Sequence, residues 1–244
     1  MSIFHQLFWP GMIAGVLAGL VLSMIQEISV IPLIHKAETY EEGYINDQER
    51  DSGSVNSDTD HHSGEGWTQN EGLKRQINTY VLNSILGIGY GLILSVALAL
   101  YRNKSISSLI NWKTGLAWGF AGYVVFQLAP AAGLLPQIPG ANSADLEYRT
   151  LWWIMCVILT ALGLGLGLLS KMIPLRALGI FVFFLPHIIG APQPENPGGI
   201  APQELADTFV TASLISSLVF WIILGILTAE ISKYITKGSR IINS

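Results

Sequence analysis

The chain has 244 residues, of which 50% are hydrophobic and only 12% are charged, and its net charge is −4. Soluble domains carry about a quarter charged residues, and several apolar runs here reach the roughly 20 residues that a helix needs to cross a bilayer. The composition therefore excludes an ordinary soluble domain. It predicts an all-α membrane protein, with residues 1–244 forming a single polytopic domain in contact with membrane lipid. No basic patch occurs, which excludes nucleic acid as a partner.

The first predicted span covers residues 7–31 and carries Gly11, Gly15 and Gly19 at intervals of four residues. Glycines at this spacing form a smooth stripe that allows close helix packing. Glu27 lies near the end of the same run, where a carboxylate is costly unless it faces a bundle interior or a wet cavity. We therefore interpret the stripe as a packing face and Glu27 as a candidate functional residue.

Pro32 is expected to kink or end this first helix. If the helix continues beyond it, His35, Glu38 and Glu42 share one face. This pattern fits a metal-binding face and a solvated amphipathic helix end equally well, and the sequence leaves both interpretations open.

Residues 43–72 are rich in Ser, Gly, Asn, Asp and Glu and contain few apolar side chains. Such a segment does not bury enough surface to fold alone, so it predicts a long, disordered acidic loop between the first two spans. The loop contains His61 and His62 beside Asp58 and Asp60. Carboxylate and imidazole groups suit divalent metals, although a solvated loop without bound metal fits the same residues.

Five further spans are predicted after this loop, which makes six in all. The fifth of the six is short and broken by Pro186. Their predicted bounds are residues 78–100, 114–135, 151–172, 175–189 and 207–231. Six spans are expected to form three successive hairpins. Because most Lys and Arg residues then fall on one side, both termini are predicted to be cytoplasmic, with the acidic loop outside.

Prolines interrupt the apolar pattern in two segments, residues 128–140 and residues 183–195. Irregular backbone at membrane depth is tolerated where it is buried in protein or lines a watery cavity, and short proline-broken apolar segments are typical of transport sites. The second segment is therefore predicted to line a cavity. His187 in this segment is either a metal ligand or a residue that caps a broken helix end.

The candidate metal ligands gather on the predicted outer face. They are Glu27, His35, Glu38, Glu41, His61, His62, His187 and Glu195. Such oxygen and imidazole ligands bind Co²⁺, Ni²⁺ or Zn²⁺, and their spacing does not select among these metals. No nucleophile elbow, His-Glu-x-x-His sequence or phosphate-binding loop occurs. No catalytic residue is therefore assigned, no enzyme activity is expected, and no tightly bound cofactor is predicted.

The sequence resembles the CbtA family of predicted cobalt transporter subunits. The most specific shared string is LPHIIGAPQPE at residues 185–195, and further strings are GVLAGL, PLIHKA, LAPAAGLLP, RTLWW and FWIILG. The resemblance implies a multi-pass subunit for Co²⁺ uptake in a bacterial-type inner membrane, serving cobalamin synthesis. It also implies a small single-span CbtB-like partner that carries histidines. Many family members have a denser histidine tract in the outer loop than His61 and His62 provide.

Two functions follow from these residues. In the first, a transporter subunit gathers Co²⁺ on its outer face, and Glu27 and His187, with His35 and Glu38, pass it into a cavity between helices. In the second, a non-transporting scaffold stabilises a partner permease through the glycine stripe. A homo-oligomer is compatible with either function. A membrane enzyme that uses His187 and Glu195 ranks last because no nucleophile is present.

Overall fold

The computed structural model describes residues 3–51, 69–104 and 110–242. These ranges are helical or irregular, and no β-strand occurs within them, so the predicted all-α class is confirmed for this part of the chain. The helices are α1 (Ile3–Ser29), α2 (Ile31–Asp51), α3 (Gln69–Lys104), α4 (Trp112–Tyr123), α5 (Leu146–Leu169), α6 (Ile173–Ile189) and α7 (Gln203–Ile242). A π-helical segment, Val124–Leu128, and one further turn, Ala129–Ala131, extend α4.

Four helical segments in the described ranges are long and apolar enough to cross a membrane. They are Leu7–Ser29, Gly72–Arg102, Leu146–Leu169 and Gln203–Ile235. The third predicted span corresponds to α4 with its extension, and the fifth to α6, an apolar helix of 17 residues. Many large apolar side chains stay exposed on these helices, as expected of surfaces that lipid covers.

The predicted break of the fifth span at Pro186 is wrong in position. Pro186 lies inside α6, which continues to Ile189. Without an N–H group, Pro186 cannot donate to the carbonyl four residues earlier, but only three residues of helix follow it. The chain turns instead at Gly190, whose φ of +88° is a backbone conformation that favours glycine.

Glycine faces bring the helices together. The predicted stripe on α1 lies against α3, where Gly11 faces Gly91 and Gly15 faces Gly87. A Cβ atom at Gly11 would lie only 2.7 Å from the backbone of Gly91. Similar contacts join α4 to α7 and α5 to α6. They are made by Gly115 and Gly119 with Gly225, and by Gly163 with Gly179.

The helix pairs only partly follow three successive hairpins. α1 packs along α3, as the first hairpin requires, but α4 packs chiefly on α7, and α5 packs on α6. α1 also packs on α7. Four helices thus surround one apolar core, formed by Ala14, Ala18, Leu94, Tyr123, Phe220, Trp221 and Leu224. The pairing differs from the expectation because facing glycines, rather than sequence order, decide which helices approach most closely.

The predicted loop over residues 43–72 is helical at both ends. α2 continues to Asp51 and α3 begins at Gln69. Composition alone missed this because both ends extend established helices, and extending a helix needs no new nucleus. On α2, the Gln48 amide donates to the Tyr44 hydroxyl at 2.9 Å. The predicted ligands His61 and His62 lie outside the described residues.

Candidate functional site

The two proline-rich segments meet at one end of the helix bundle. Residues 132–145 connect the extension of α4 to α5, and residues 190–202 connect α6 to α7. An isolated antiparallel bridge joins Ala141 to Gly199. The segments are therefore neighbours, although two helices separate them in the sequence. We call residues 132–145 and 190–202 together the cap.

Polar side chains tie the two halves of the cap together. The Asn142 N–H donates to the Gly198 carbonyl at 2.8 Å, and its Nδ2 donates to the Asn196 carbonyl at 3.1 Å. Gln193 Nε2 donates to the Gly133 carbonyl at 3.0 Å. Gly198 adopts a φ of +117°, which allows the chain to turn beside the bridge. The irregular backbone of the cap is thus hydrogen-bonded within the protein.

A cavity of about 240 Å³ lies between the cap and the first turns of α5 and α7. Prolines and apolar side chains form much of its wall, and Arg149 and Asp207 are the charged residues that line it. Residues 192–194 also belong to this wall. The second proline-rich segment therefore lines the cavity through its C-terminal half.

His187 lies at the end of α6 and does not line the cavity. Its half-buried ring packs edge-on against the indole of Trp152, with 6.0 Å between ring centroids. The same indole donates through Nε1 to the Pro186 carbonyl at 3.3 Å, which fastens the end of α6 to α5. His187 thus occupies a helix-end contact, and Glu195 stands exposed farther along the cap.

Glu27 lies at the contact between α1 and α3. One carboxylate oxygen accepts a hydrogen bond from the Gln76 amide, and the other accepts from the Tyr80 hydroxyl at 2.9 Å. Nearby on the same interface, the Asn83 amide donates to the Gln26 side chain at 2.7 Å. Glu27 is therefore held by neutral donors at a partly buried contact between two helices.

His35 and Glu38 share a face of α2, with His35 Nδ1 and Glu38 Oε2 3.0 Å apart. Arg75 of α3 donates to the same carboxylate from Nη2 at 2.9 Å. Burial raises the pKa of Glu38, but the hydrogen bonds and charges of Arg75 and His35 outweigh it and bring the pKa below its ordinary value. Glu38 is thus an ion-paired contact between α2 and α3.

The candidate ligands do not converge on one point. Within residues 3–51, 69–104 and 110–242, no three His, Cys, Asp or Glu side chains are close enough to hold a metal ion together. Glu27, His35 and Glu38 all lie along the start of α3, whereas His187 and Glu195 lie at the end of α6 and in the cap.

Sequence reasoning missed the partners of these carboxylates on α3. Gln76, Tyr80 and Asn83 follow one another at intervals of four and three residues, and Gly87 and Gly91 continue the spacing. One face of α3 therefore changes from polar to glycine along its length. That periodicity was a signal that polar residues on α1 would find partners on this face.

A comparison with protein-family models gives the chain its family. The model described as "Probable cobalt transporter subunit (CbtA)" matches residues 4–233, nearly the whole chain. The chain belongs to the CbtA family. No curated protein and no solved structure matches it. The CbtA match and the apolar helices together show a membrane protein of a cobalt transporter subunit family.

Three strings that carry the CbtA resemblance meet beside the cap. They are residues 128–136, 149–153 and 185–195. All three strings contribute to a single apolar cluster, which includes Ala129, Trp152 and Ala191. In this CbtA chain, the strings thus form the joint where the α5–α6 pair meets the other helices.

Proposed function

We propose that the chain is a membrane subunit for Co²⁺ uptake in a bacterial-type inner membrane, where it serves cobalamin synthesis beside a small single-span CbtB-like partner. The observation that carries this proposal is the CbtA match over residues 4–233. The long apolar helices and the internally hydrogen-bonded cap are consistent with it. Ni²⁺ or Zn²⁺ would fit the same ligand types.

Glu27 is the metal-handling residue that the contacts support best. Its part-buried carboxylate lies at the contact between α1 and α3, held by Gln76 and Tyr80, and no Lys or Arg in the described ranges forms an ion pair with it. A negative charge held in this way lowers the cost of passing a divalent cation. His187 and Glu195, together with His35, Glu38, His61 and His62, are proposed to receive the ion, with water and the partner completing its coordination.

A topology with six membrane spans agrees with the contacts in the cap better than a topology with four. If only the four long apolar helices crossed the membrane, α4 and α6 would each stay on one side, and the two halves of the cap would lie on opposite sides. The bridge between Ala141 and Gly199 requires both halves on one side. Residues 112–131 form about 30 Å of continuous helix, enough to cross a hydrocarbon core. The positive-inside rule supports the proposal that both termini lie in the cytoplasm.

The structure removes one argument for a non-transporting scaffold. That hypothesis used Gly11, Gly15 and Gly19 as the surface for a partner, but α3 already covers this stripe. Vesicles reconstituted with the pure chain distinguish the two functions. Co²⁺ flux with the chain alone supports transport, whereas flux that appears only with an added permease supports the scaffold.

Uptake of Co²⁺ by cells that express matched levels of each variant tests the proposed residues. Glu27→Gln removes the charge but keeps an acceptor for Tyr80, and it is expected to lower uptake about tenfold. His187→Phe keeps a ring against Trp152 but removes the ligand nitrogens. Loss of uptake in His187→Phe supports metal binding, and full uptake means that the ring only packs.

Glu147→Gln, which changes an exposed carboxylate on α5, is the matched control and should leave uptake unchanged. If Glu27→Gln and His187→Phe both retain full uptake, the assignment of metal-handling residues is wrong. If cells that express the unmodified chain and its partner take up no more Co²⁺ than cells without them, the transport function is wrong.

A further inference from the structure

Arg149 has a buried polar atom without a partner. Its Nε is inaccessible to solvent and makes no hydrogen bond. Asp145 and Glu147 are close to Arg149 in the sequence, yet neither forms an ion pair with it in the part of the chain that the structure describes. A buried N–H without a partner is costly, and the residues packed around Arg149 in the folded chain do not satisfy it.

The position of Arg149 on α5 adds to this cost. Its backbone N–H donates to the Asp145 carbonyl at 3.1 Å, so the residue belongs to the first turns of the helix. The helix N-terminus carries partial positive charge, which disfavours a cation there. An arginine at this position does not stabilise the helix. Its presence is better explained by the groups that surround its side chain. Arg149 lines the cavity beneath the cap, and it also borders a second, more open recess beside Pro130 and Trp153.

The other polar groups of the cavity present mainly acceptors. The side-chain nitrogens of Gln137 and Gln193 already donate to the backbone carbonyls of Asn142 and Gly133, at 3.2 Å and 3.0 Å. The carbonyl oxygens of these amides are left as acceptors for a ligand, and the second N–H of the Gln137 amide is left as a donor. Asp207 adds a carboxylate, which accepts from Gln203 through Oδ1. A single cation thus stands opposite several oxygen acceptors.

We propose that this cavity binds a small solute that carries a carboxylate for Arg149 and positive charge for Asp207 and the amide oxygens. A volume of about 240 Å³ is below the roughly 300–1,000 Å³ of pockets for drug-sized ligands, so the solute is small. Two sources have this chemistry, an amino-acid zwitterion and a divalent metal chelated by a carboxylate. The proposal does not depend on transport of Co²⁺ by the chain.

Calorimetric titration of the purified full chain in detergent tests the proposal with four probes, namely alanine, citrate, Co²⁺, and Co²⁺ with equimolar citrate. We expect alanine or the Co²⁺–citrate mixture to bind more tightly than citrate alone or Co²⁺ alone, and the tighter of the two identifies the source. Arg149→Gln should weaken this binding by roughly tenfold or more, because it removes a charge-assisted hydrogen bond.

Controls separate loss of binding from loss of folding. Arg149→Gln should unfold at the same or a higher temperature than the unmodified chain, since it removes a buried N–H that has no partner. Lys171→Gln changes an exposed residue just beyond the opposite end of α5, and it should bind like the unmodified chain. The proposal is overturned if no probe binds, or if citrate alone binds as tightly as both alanine and the Co²⁺–citrate mixture. It is also overturned if Arg149→Gln binds the tighter of these two probes as strongly as the unmodified chain does.

Discussion

The two carboxylates that face α3 are satisfied in different ways. Glu38 binds the cation of Arg75 and the ring of His35, whereas Glu27 accepts from the neutral groups of Gln76 and Tyr80. A carboxylate paired with a cation contributes mainly to stability. A carboxylate held by neutral donors keeps its negative charge available to a passing cation. This difference is why Glu27, and not Glu38, is the stronger metal-handling candidate.

Glu38→Gln should lower stability in a pH-dependent way. Because the folded-state pKa lies below the ordinary value of 4.5, Glu38 stabilises the fold above that pH, and this contribution is lost as the pH falls through the folded-state pKa. We expect a loss of about 1 kcal/mol in unfolding free energy at pH 7 and a smaller loss at pH 4. Thermal unfolding of both chains in detergent, at pH 7 and at pH 4, measures this difference in stability.

Glu42→Gln, on the same helix but exposed, serves as the control and should change stability little at either pH. An equal loss for Glu38→Gln at pH 7 and pH 4 would show that the contact with Arg75 and His35 contributes through packing rather than charge.

At the scale of helices, the sequence predicted which face of a helix packs better than it predicted which other helix covers that face. The four-residue spacing of Gly11, Gly15 and Gly19 was enough to locate a packing face. It did not say which helix covers that face, because several other helices carry glycines too, and spacing alone does not match one glycine face to another. For the same reason, the pairing of α4 with α7 was not predicted. Likewise, the ring of His187 packs against Trp152 of α5, a contact that the spacing of residues in the sequence did not predict.

Two glycines on α3 test whether the α1–α3 contact depends on close approach. A Cβ atom at Gly91 would come within 3.0 Å of the Gly11 carbonyl carbon, whereas a Cβ at Gly89 would meet no atom within 4 Å. Gly91→Ala should therefore destabilise the chain by about 1–3 kcal/mol. Gly89→Ala should stabilise it by about 0.5–1 kcal/mol, since alanine favours helix more than glycine does. Thermal unfolding in detergent provides the comparison, and a change of the same sign in both variants would contradict the proposed contact.

At the scale of the whole molecule, the described helices form two groups. α1, α3, α4 and α7 share the central core, while α5 and α6 pack on each other and reach the rest mainly through the extension of α4 and the cap. The apolar cluster around Ala129, Trp152 and Cys156 lies at this joint. The cavity with Arg149 therefore lies where the two groups meet, a place where ligand sites occur preferentially.

The six-span topology predicts which single cysteines a membrane-impermeant maleimide can reach. Ser143→Cys and Glu195→Cys lie in the two halves of the cap and should both be labelled from outside in right-side-out vesicles. Lys171→Cys lies beyond the other end of α5, a helix of 24 residues and about 36 Å, and should react only after the vesicles are opened. The native Cys156 is fully buried and should give little background. If α4 did not cross the membrane, Ser143→Cys would be protected and Lys171→Cys labelled from outside, a reversal that the bridge between Ala141 and Gly199 argues against.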